Sequence, residues 1–221
     1  MSTTSNIEKT VKDILKTIPS HVTLLAAAKT RSLTEVEAVI QAGVTHIGYN
    51  YIQEALPIIH QIGRGAQWHM IGHLQRNKAK VTVENFDMIE TVDSWKLSQT
   101  LEKRCEELNK HIPVLIEINS GREENKTGIF PESVENLINQ MSALKFIHVV
   151  GLMTMGPRFG DPEDSRPYYK TTYKIFEQLS RLNLPNVKMQ HLSMGMSNSY
   201  LIAIEEGANI IRIGTKLFGE R

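Results

Sequence analysis

The stretch Leu24-Leu25-Ala26-Ala27-Ala28-Lys29-Thr30-Arg31-Ser32 decides how this 221-residue chain folds. Its apolar run reads as a short buried strand, and the residues that follow are of turn type. An open doubly wound sheet would place a glycine-rich dinucleotide turn after its first strand. Here that turn is Lys29-Thr30-Arg31, with no glycine. Similar short runs recur along the chain, so the expected strands are residues 22–28, 45–48, 67–71, 88–91, 113–118, 147–153, 189–192 and 210–213. Helical periodicity fills the gaps, at 33–41, 51–62, 76–83, 94–108, 131–143, 168–182 and 200–206. Ser94 and Pro131 suit helix starts, and Gly43 and Gly207 suit helix ends.

Strands that alternate with helices imply parallel pairing through right-handed crossovers. About eight of them match a single closed (β/α)8 barrel of the TIM type. The helix after the last strand is nearly missing, and the amphipathic segment 7–18 is expected to cover the place where it would pack. The whole chain, 1–221, reads as one domain.

In such a barrel the strand C-termini meet at one mouth. The residues just past each run then belong to one candidate site: Lys29, Asn50, His73, Asn119, Thr154, Ser193 to Ser197, and Gly214 to Thr215. A lysine at a buried strand end has two readings. Its amine is a Schiff-base former, because desolvation favours the neutral, nucleophilic form, or its stem packs while its head stays wet. Asn50 either hydrogen-bonds a ligand hydroxyl or caps a helix. His69 reads as a satisfied core histidine, whereas His73 lies nearer the mouth. Arg212 alternates with Ile211 and Ile213, which turns it toward the mouth. Gly214, Thr215 and the loop Ser193-Met194-Gly195-Met196-Ser197 together suit a phosphate cup. The polar segments 120–128 and 156–167 read as mobile rims, either lids or plain loops.

Bulk properties exclude several classes. A net charge of +1 does not support a polyanion-binding surface, so no nucleic-acid partner is expected. Arg76, Lys78 and Lys80 read as a solvated helix face. The single cysteine, Cys105, leaves no intrachain disulfide and no thiolate cluster for a metal, and reads as an inert helix residue. No segment is apolar enough to span a bilayer and the N-terminus is not a secretion signal, so a cytoplasmic location is expected. A monomer is expected, since no long apolar edge or coiled-coil repeat is visible.

In order, the motifs are Ala28-Lys29-Thr30, Asn50-Tyr51-Ile52-Gln53-Glu54, Trp68-His69-Met70-Ile71-Gly72-His73-Leu74-Gln75-Arg76-Asn77-Lys78, Lys126-Thr127-Gly128, Gly151-Leu152-Met153, Ser193-Met194-Gly195-Met196-Ser197 and Arg212-Ile213-Gly214-Thr215-Lys216-Leu217-Phe218-Gly219. Through them the chain resembles, from about residue 24 to 221, the stand-alone pyridoxal 5′-phosphate homeostasis proteins, called YggS or PROSC-like. These have the alanine racemase N-terminal-type barrel of fold type III pyridoxal phosphate proteins. The resemblance implies that Lys29 forms an internal aldimine with the cofactor's aldehyde. It implies that Ser197, Gly214 and Thr215 hold the phosphate, that Arg212 faces the pyridine nitrogen, and that Asn50 lines the ring. Two departures stand out. Tyr49 replaces a usual glutamate and Asn198 a usual acidic residue, which bears on the rim's electrostatics.

The resemblance also bears on catalysis. An arginine cannot accept a proton, so it leaves the pyridine nitrogen unprotonated and the ring a weaker electron sink. Racemases with this barrel compensate with a lysine and a tyrosine, the latter from a second domain for which this chain shows no room. The expected function is therefore a non-enzymatic carrier or buffer of pyridoxal phosphate. It would serve apoenzymes that need the cofactor and so affect amino-acid metabolism indirectly. A weak amino-acid racemase is the alternative, and a cofactor-free Schiff-base aldolase a third reading.

Overall fold

The computed structural model describes residues 3–157 and 160–220. Its eight strands are β1 (Thr23–Ala27), β2 (His46–Tyr49), β3 (Gln67–Met70), β4 (Met88–Val92), β5 (Ile112–Ile118), β6 (Ile147–Thr154), β7 (Val187–Ser193) and β8 (Ile210–Ile213). They form a closed, all-parallel barrel in sequence order, and β8 pairs with β1 from Thr23↔Ile210 to Ala26↔Ile213. The barrel expected from the alternating pattern is therefore present.

The helices are α1 (Thr3–Thr17), α2 (Leu33–Gln41), α3 (Ile52–Ile62), α4 (Ala79–Asn85), α5 (Trp95–Leu108), α6 (Val134–Met141), α7 (Arg166–Ser180), α8 (Tyr200–Glu205) and α9 (Thr215–Phe218). α2 begins with a full capping box, in which the Ser32 hydroxyl accepts from the Glu35 N–H while the Glu35 carboxylate accepts from the Ser32 N–H. The helix expected at 76–83 starts as a 3-10 turn, Arg76–Lys78, before α4 takes over. Pro131 likewise opens a 3-10 turn ahead of α6. As expected, the N-terminal segment compensates for the short last helix: α1 packs against both α2 and the single-turn α9, where the barrel closes.

Most of the apolar core lies between the strands and the helices. Inside the barrel the apolar side chains include a small group, Leu25, Ile71 and Ile210, with Ala27 beside it, and the fully buried Leu115 and Met153. The rest of the interior carries charge, and that arrangement sets up the site. Cys105 is buried on α5, and burial pushes its thiol up to about 12, so it is inert as expected. Among the described residues no helix is long and apolar enough to cross a membrane.

Tyr49 does not bear on the rim. It points outward from β2 into the strand–helix layer, fully buried and tilted against Trp68 at 6.4 Å between ring centroids. Its hydroxyl has no hydrogen-bond partner, and burial pushes its pKa up. Tyr49→Phe is expected to stabilise the protein by about 0.5–1 kcal/mol, because it removes an unpaired buried hydroxyl and keeps the ring. The check is a rise in urea midpoint at unchanged slope.

Candidate functional site

The mouth is assembled from the ends of non-adjacent elements. Lys29 lies two residues past β1 and is half-buried, with Nζ 4.8 Å from the centroid of the Tyr51 ring. Tethers fix the backbone around it. Ala28 N–H donates to Gly48 O at 2.9 Å, and Thr30 N–H donates to Glu54 Oε2 at 2.9 Å. Arg31 Nη2 donates to Gly219 O at 2.7 Å, which ties this turn to the C-terminal end of the chain. Thr30 has φ +63°, a left-handed conformation that a β-branched residue rarely adopts. It costs about 1–2 kcal/mol. A strained turn held by Glu54 directly after Lys29 marks a position that the fold over-determines.

Asn50 follows β2 directly but does not cap α3. The cap position is Tyr51, and no side chain bonds there. Asn50 instead lines a cleft of ≈ 350 Å³ on the β2–β3 side of the mouth, together with Tyr51, Gly72, His73 and Lys78. Gly72 permits this close approach: a Cβ there would sit 2.3 Å from the Asn50 carbonyl oxygen. His73 is exposed, its Nδ1 4.0 Å from Asp93 Oδ2.

The phosphate-type donors lie on the opposite side of β1. The N–H groups of Gly214 and Lys216 both point at Ser197 Oγ, each at 3.3 Å. The Ser197 hydroxyl thus marks a spot where two backbone donors converge, which suits an anion oxygen. Gly214 also packs tightly on β1, since a Cβ on it would lie 3.2 Å from Ala27 O. Gly195 turns the preceding loop at φ +95°, and its carbonyl accepts from Arg212 N–H. Thr215 is exposed at the same edge. Met194 is fully buried in the core, and Asn198 is exposed.

Beneath the mouth runs a buried polar chain. Arg212 Nη1 donates to Ser193 Oγ at 2.6 Å, and Nη2 donates to Thr154 O at 2.8 Å. Ser193 Oγ in turn donates to Glu90 Oε2 at 2.6 Å, and Glu90 Oε2 lies 3.9 Å from Arg212. The other Glu90 oxygen accepts from His69 Nδ1 at 2.7 Å. His69 is thus the satisfied core histidine expected. The Ser193 hydroxyl is committed to Glu90 and Arg212. Burial alone would raise the Glu90 carboxyl, but the His69 bond, the charges of His69 and Arg212, and the Ser193 bond outweigh it and hold it below the usual range.

Glu90 and Glu117, the carboxylates inside the barrel, were not among the expected site residues. A signal was present. Met88-Ile89-Glu90-Thr91-Val92 and Val114-Leu115-Ile116-Glu117-Ile118 each set an acid inside an apolar run, which is costly without a partner.

His46 and His191 lie deeper, near His69. Burial lowers His46 to about 4, with the charge of His69 adding to the shift and Glu90 and Asp87 opposing it. Burial and His69 lower His191 as well, against Glu90. A histidine whose folded pKa lies below its unfolded value binds fewer protons when folded. Its stabilising contribution is full above about pH 6.5 and falls as pH drops toward 4. Discounted for the water that still reaches the half-buried ring, the loss from His46 is about 1–2 kcal/mol. Glu90 adds to it only below the ordinary carboxylate range. The melting temperature should fall between about pH 6.5 and 4, and His46→Gln should flatten that fall.

Residues 158 and 159, inside the expected 156–167 rim, lie outside the described residues. The remainder is pinned rather than free: Arg166 bonds Glu163, Glu205 and Glu206, tying the loop to α8. Among the described residues no cluster of three metal-ligating side chains occurs.

Comparison with known proteins gives a consistent result. The family model for the alanine racemase N-terminal domain matches residues 3–221. A pyridoxal phosphate homeostasis protein from Aquifex aeolicus is 40% identical over 199 residues, covering 90% of this chain and 86% of that protein. PipY of Synechococcus elongatus, solved with pyridoxal phosphate bound, superposes with a TM-score of 0.88 at 29% identity, covering 96% of this chain and 100% of PipY. Alanine racemase from Clostridium difficile superposes with a TM-score of 0.81 at 16% identity, a likeness of fold, and this chain spans 56% of it.

Proposed function

Since this chain belongs to the alanine racemase N-terminal domain family, beside the pyridoxal phosphate homeostasis proteins, we propose that it binds pyridoxal 5′-phosphate at the barrel mouth and holds it in reserve without turning over a substrate. One observation carries the reading: the turn with Lys29 and the paired N–H donors at Ser197 flank the same β1–β8 edge of the mouth. Lys29 supplies the amine that anchors the aldehyde. Gly214 and Lys216 N–H, with the Ser197 and Thr215 hydroxyls, hold the phosphate. Asn50 and His73 line the opposite side. Ser193 acts from below by fixing Arg212, and Met194 and Gly195 shape the loop.

Pyridoxal phosphate, when bound, supplies an electrophilic carbon and a ring that can take up electrons. Arg212 restrains the second property. A guanidinium only donates, so a ring nitrogen facing it receives no proton. The Ser193 and Thr154 bonds hold that guanidinium in place. This favours storage over turnover. In this reading the chain is a cytoplasmic monomer, and its recipients are apoenzymes that need the cofactor.

The test is to add pyridoxal phosphate to the purified protein, record its visible spectrum, reduce with borohydride and map the modified peptide. The expected result is a visible band, a label on Lys29, and transfer of unreduced cofactor to an apoenzyme without appreciable racemisation of alanine or serine. Rapid racemisation that depends on Lys29 would replace storage with catalysis. No band and no label would remove the cofactor reading.

A further inference from the structure

Among the described residues two buried polar side-chain atoms lack a hydrogen-bond partner, Tyr49 Oη and Glu117 Oε2. They differ in where they point. Tyr49 faces the strand–helix layer, where no ligand can reach it. Glu117 pairs in register with Met153 of β6, which pairs with Ser193 of β7, and paired residues point to the same side of a sheet. Ser193 faces the barrel interior, where it bonds Glu90 and Arg212. Glu117 therefore also points inward, one residue from the C-terminal end of β5.

We infer that Glu117 is a further ligand-binding residue of this site, whose free carboxyl oxygen hydrogen-bonds pyridoxal phosphate from the side of the barrel opposite Lys29. β5 stands four strands from β1 in either direction round the closed barrel, so Glu117 and Lys29 approach the mouth from opposite walls. Glu117 is 2% exposed. Its Oε1 accepts from Thr127 Oγ1 at 2.7 Å, which fixes the carboxyl and leaves Oε2 as the free corner. The charged and titratable groups acting on it are Asp93, Arg212 and His73. Burial raises its pKa, and Asp93 adds to that rise, while the Thr127 bond and the charges of Arg212 and His73 oppose it. A carboxyl shifted upward keeps its proton more readily and can donate to a ligand oxygen. A buried polar atom with no partner in the protein is a cost to the fold, and it is retained at a functional mouth when a ligand supplies the missing partner.

This inference rests on the pyridoxal phosphate reading, and the experiment separates the two. Wild type, Glu117→Gln and Glu117→Leu would be compared for the melting temperature of the cofactor-free protein and for affinity toward pyridoxal phosphate by absorption titration. Glu117→Leu should bind about tenfold more weakly while its cofactor-free melting temperature holds or rises, and Glu117→Gln, which keeps a donor, should bind within about threefold of wild type. Equal affinity in wild type and Glu117→Leu overturns the role of Glu117 and leaves the cofactor reading intact. A Glu117→Leu protein that is insoluble or melts markedly earlier also overturns it, since the carboxyl would then serve the fold. Failure of the wild type itself to bind removes both readings.

Discussion

Lys29→Ala is expected to abolish the visible band of the protein with pyridoxal phosphate and to weaken cofactor binding by at least about a hundredfold, or about 2.7 kcal/mol. The size follows from what is lost and what is kept. In the proposed binding mode the covalent anchor goes, while the donors at Ser197 and the Arg212 guanidinium stay in place. The turn should survive, because backbone and neighbouring groups hold it: Ala28 N–H on Gly48 O, Thr30 N–H on Glu54, and Arg31 on Gly219 O. The Lys29 side chain itself is half-buried and makes one ring contact, with Tyr51, so stability should change by less than about 1 kcal/mol. Titration of both proteins beside their urea curves checks this. A band that persists in the variant would move the anchor to another lysine.

Glu90→Ala should be the most destabilising single change in the barrel interior, at about 3–5 kcal/mol. Glu90 is fully buried and accepts from both His69 and Ser193, with Arg212 3.9 Å away. Removing it strands the Arg212 charge in a water-poor interior and leaves the His69 Nδ1–H without its acceptor. Both penalties exceed the modest net value of the bonds themselves. Glu90→Gln should lose less, because an amide can still accept from one neighbour. Combining Glu90→Ala with His69→Phe should recover part of the loss, since the two residues share a bond and their effects cannot add. A urea midpoint for Glu90→Ala close to that of wild type would mean that the polar chain contributes nothing to folding.

The barrel was legible because its strands are short apolar runs and its helices have clear periods. α2 falls on the expected 33–41, and β8 on the expected 210–213. Elsewhere the bounds shift by one to four residues, as at α1, which begins at Thr3 rather than 7, and at β7, which begins at Val187 rather than 189 because its first half lies partly exposed. The site was legible in part. The positions of Lys29, Arg212, Ser197 and Gly214 at one end of the barrel could be read from strand ends and alternation, while their binding roles belong to the proposal. The Tyr49 departure suggested a rim effect, yet the residue packs in the outer layer, because the alternation of β2 turns it away from the mouth.

Sequence by itself determined the order and kind of the elements, the inward turn of Arg212 and the lysine at the end of the first strand. These follow from periods of two and of about 3.6 residues, which are local properties of the chain. Tertiary structure alone decided which inward residues would meet. Ser193 and Glu90 bond across a separation of 103 residues, and Arg212 reaches the Thr154 carbonyl 58 residues away. Glu117 is turned into the mouth opposite Lys29 only because eight strands close on themselves. Closure sets those distances through strand register, and register is a property of the whole sheet that no short segment carries.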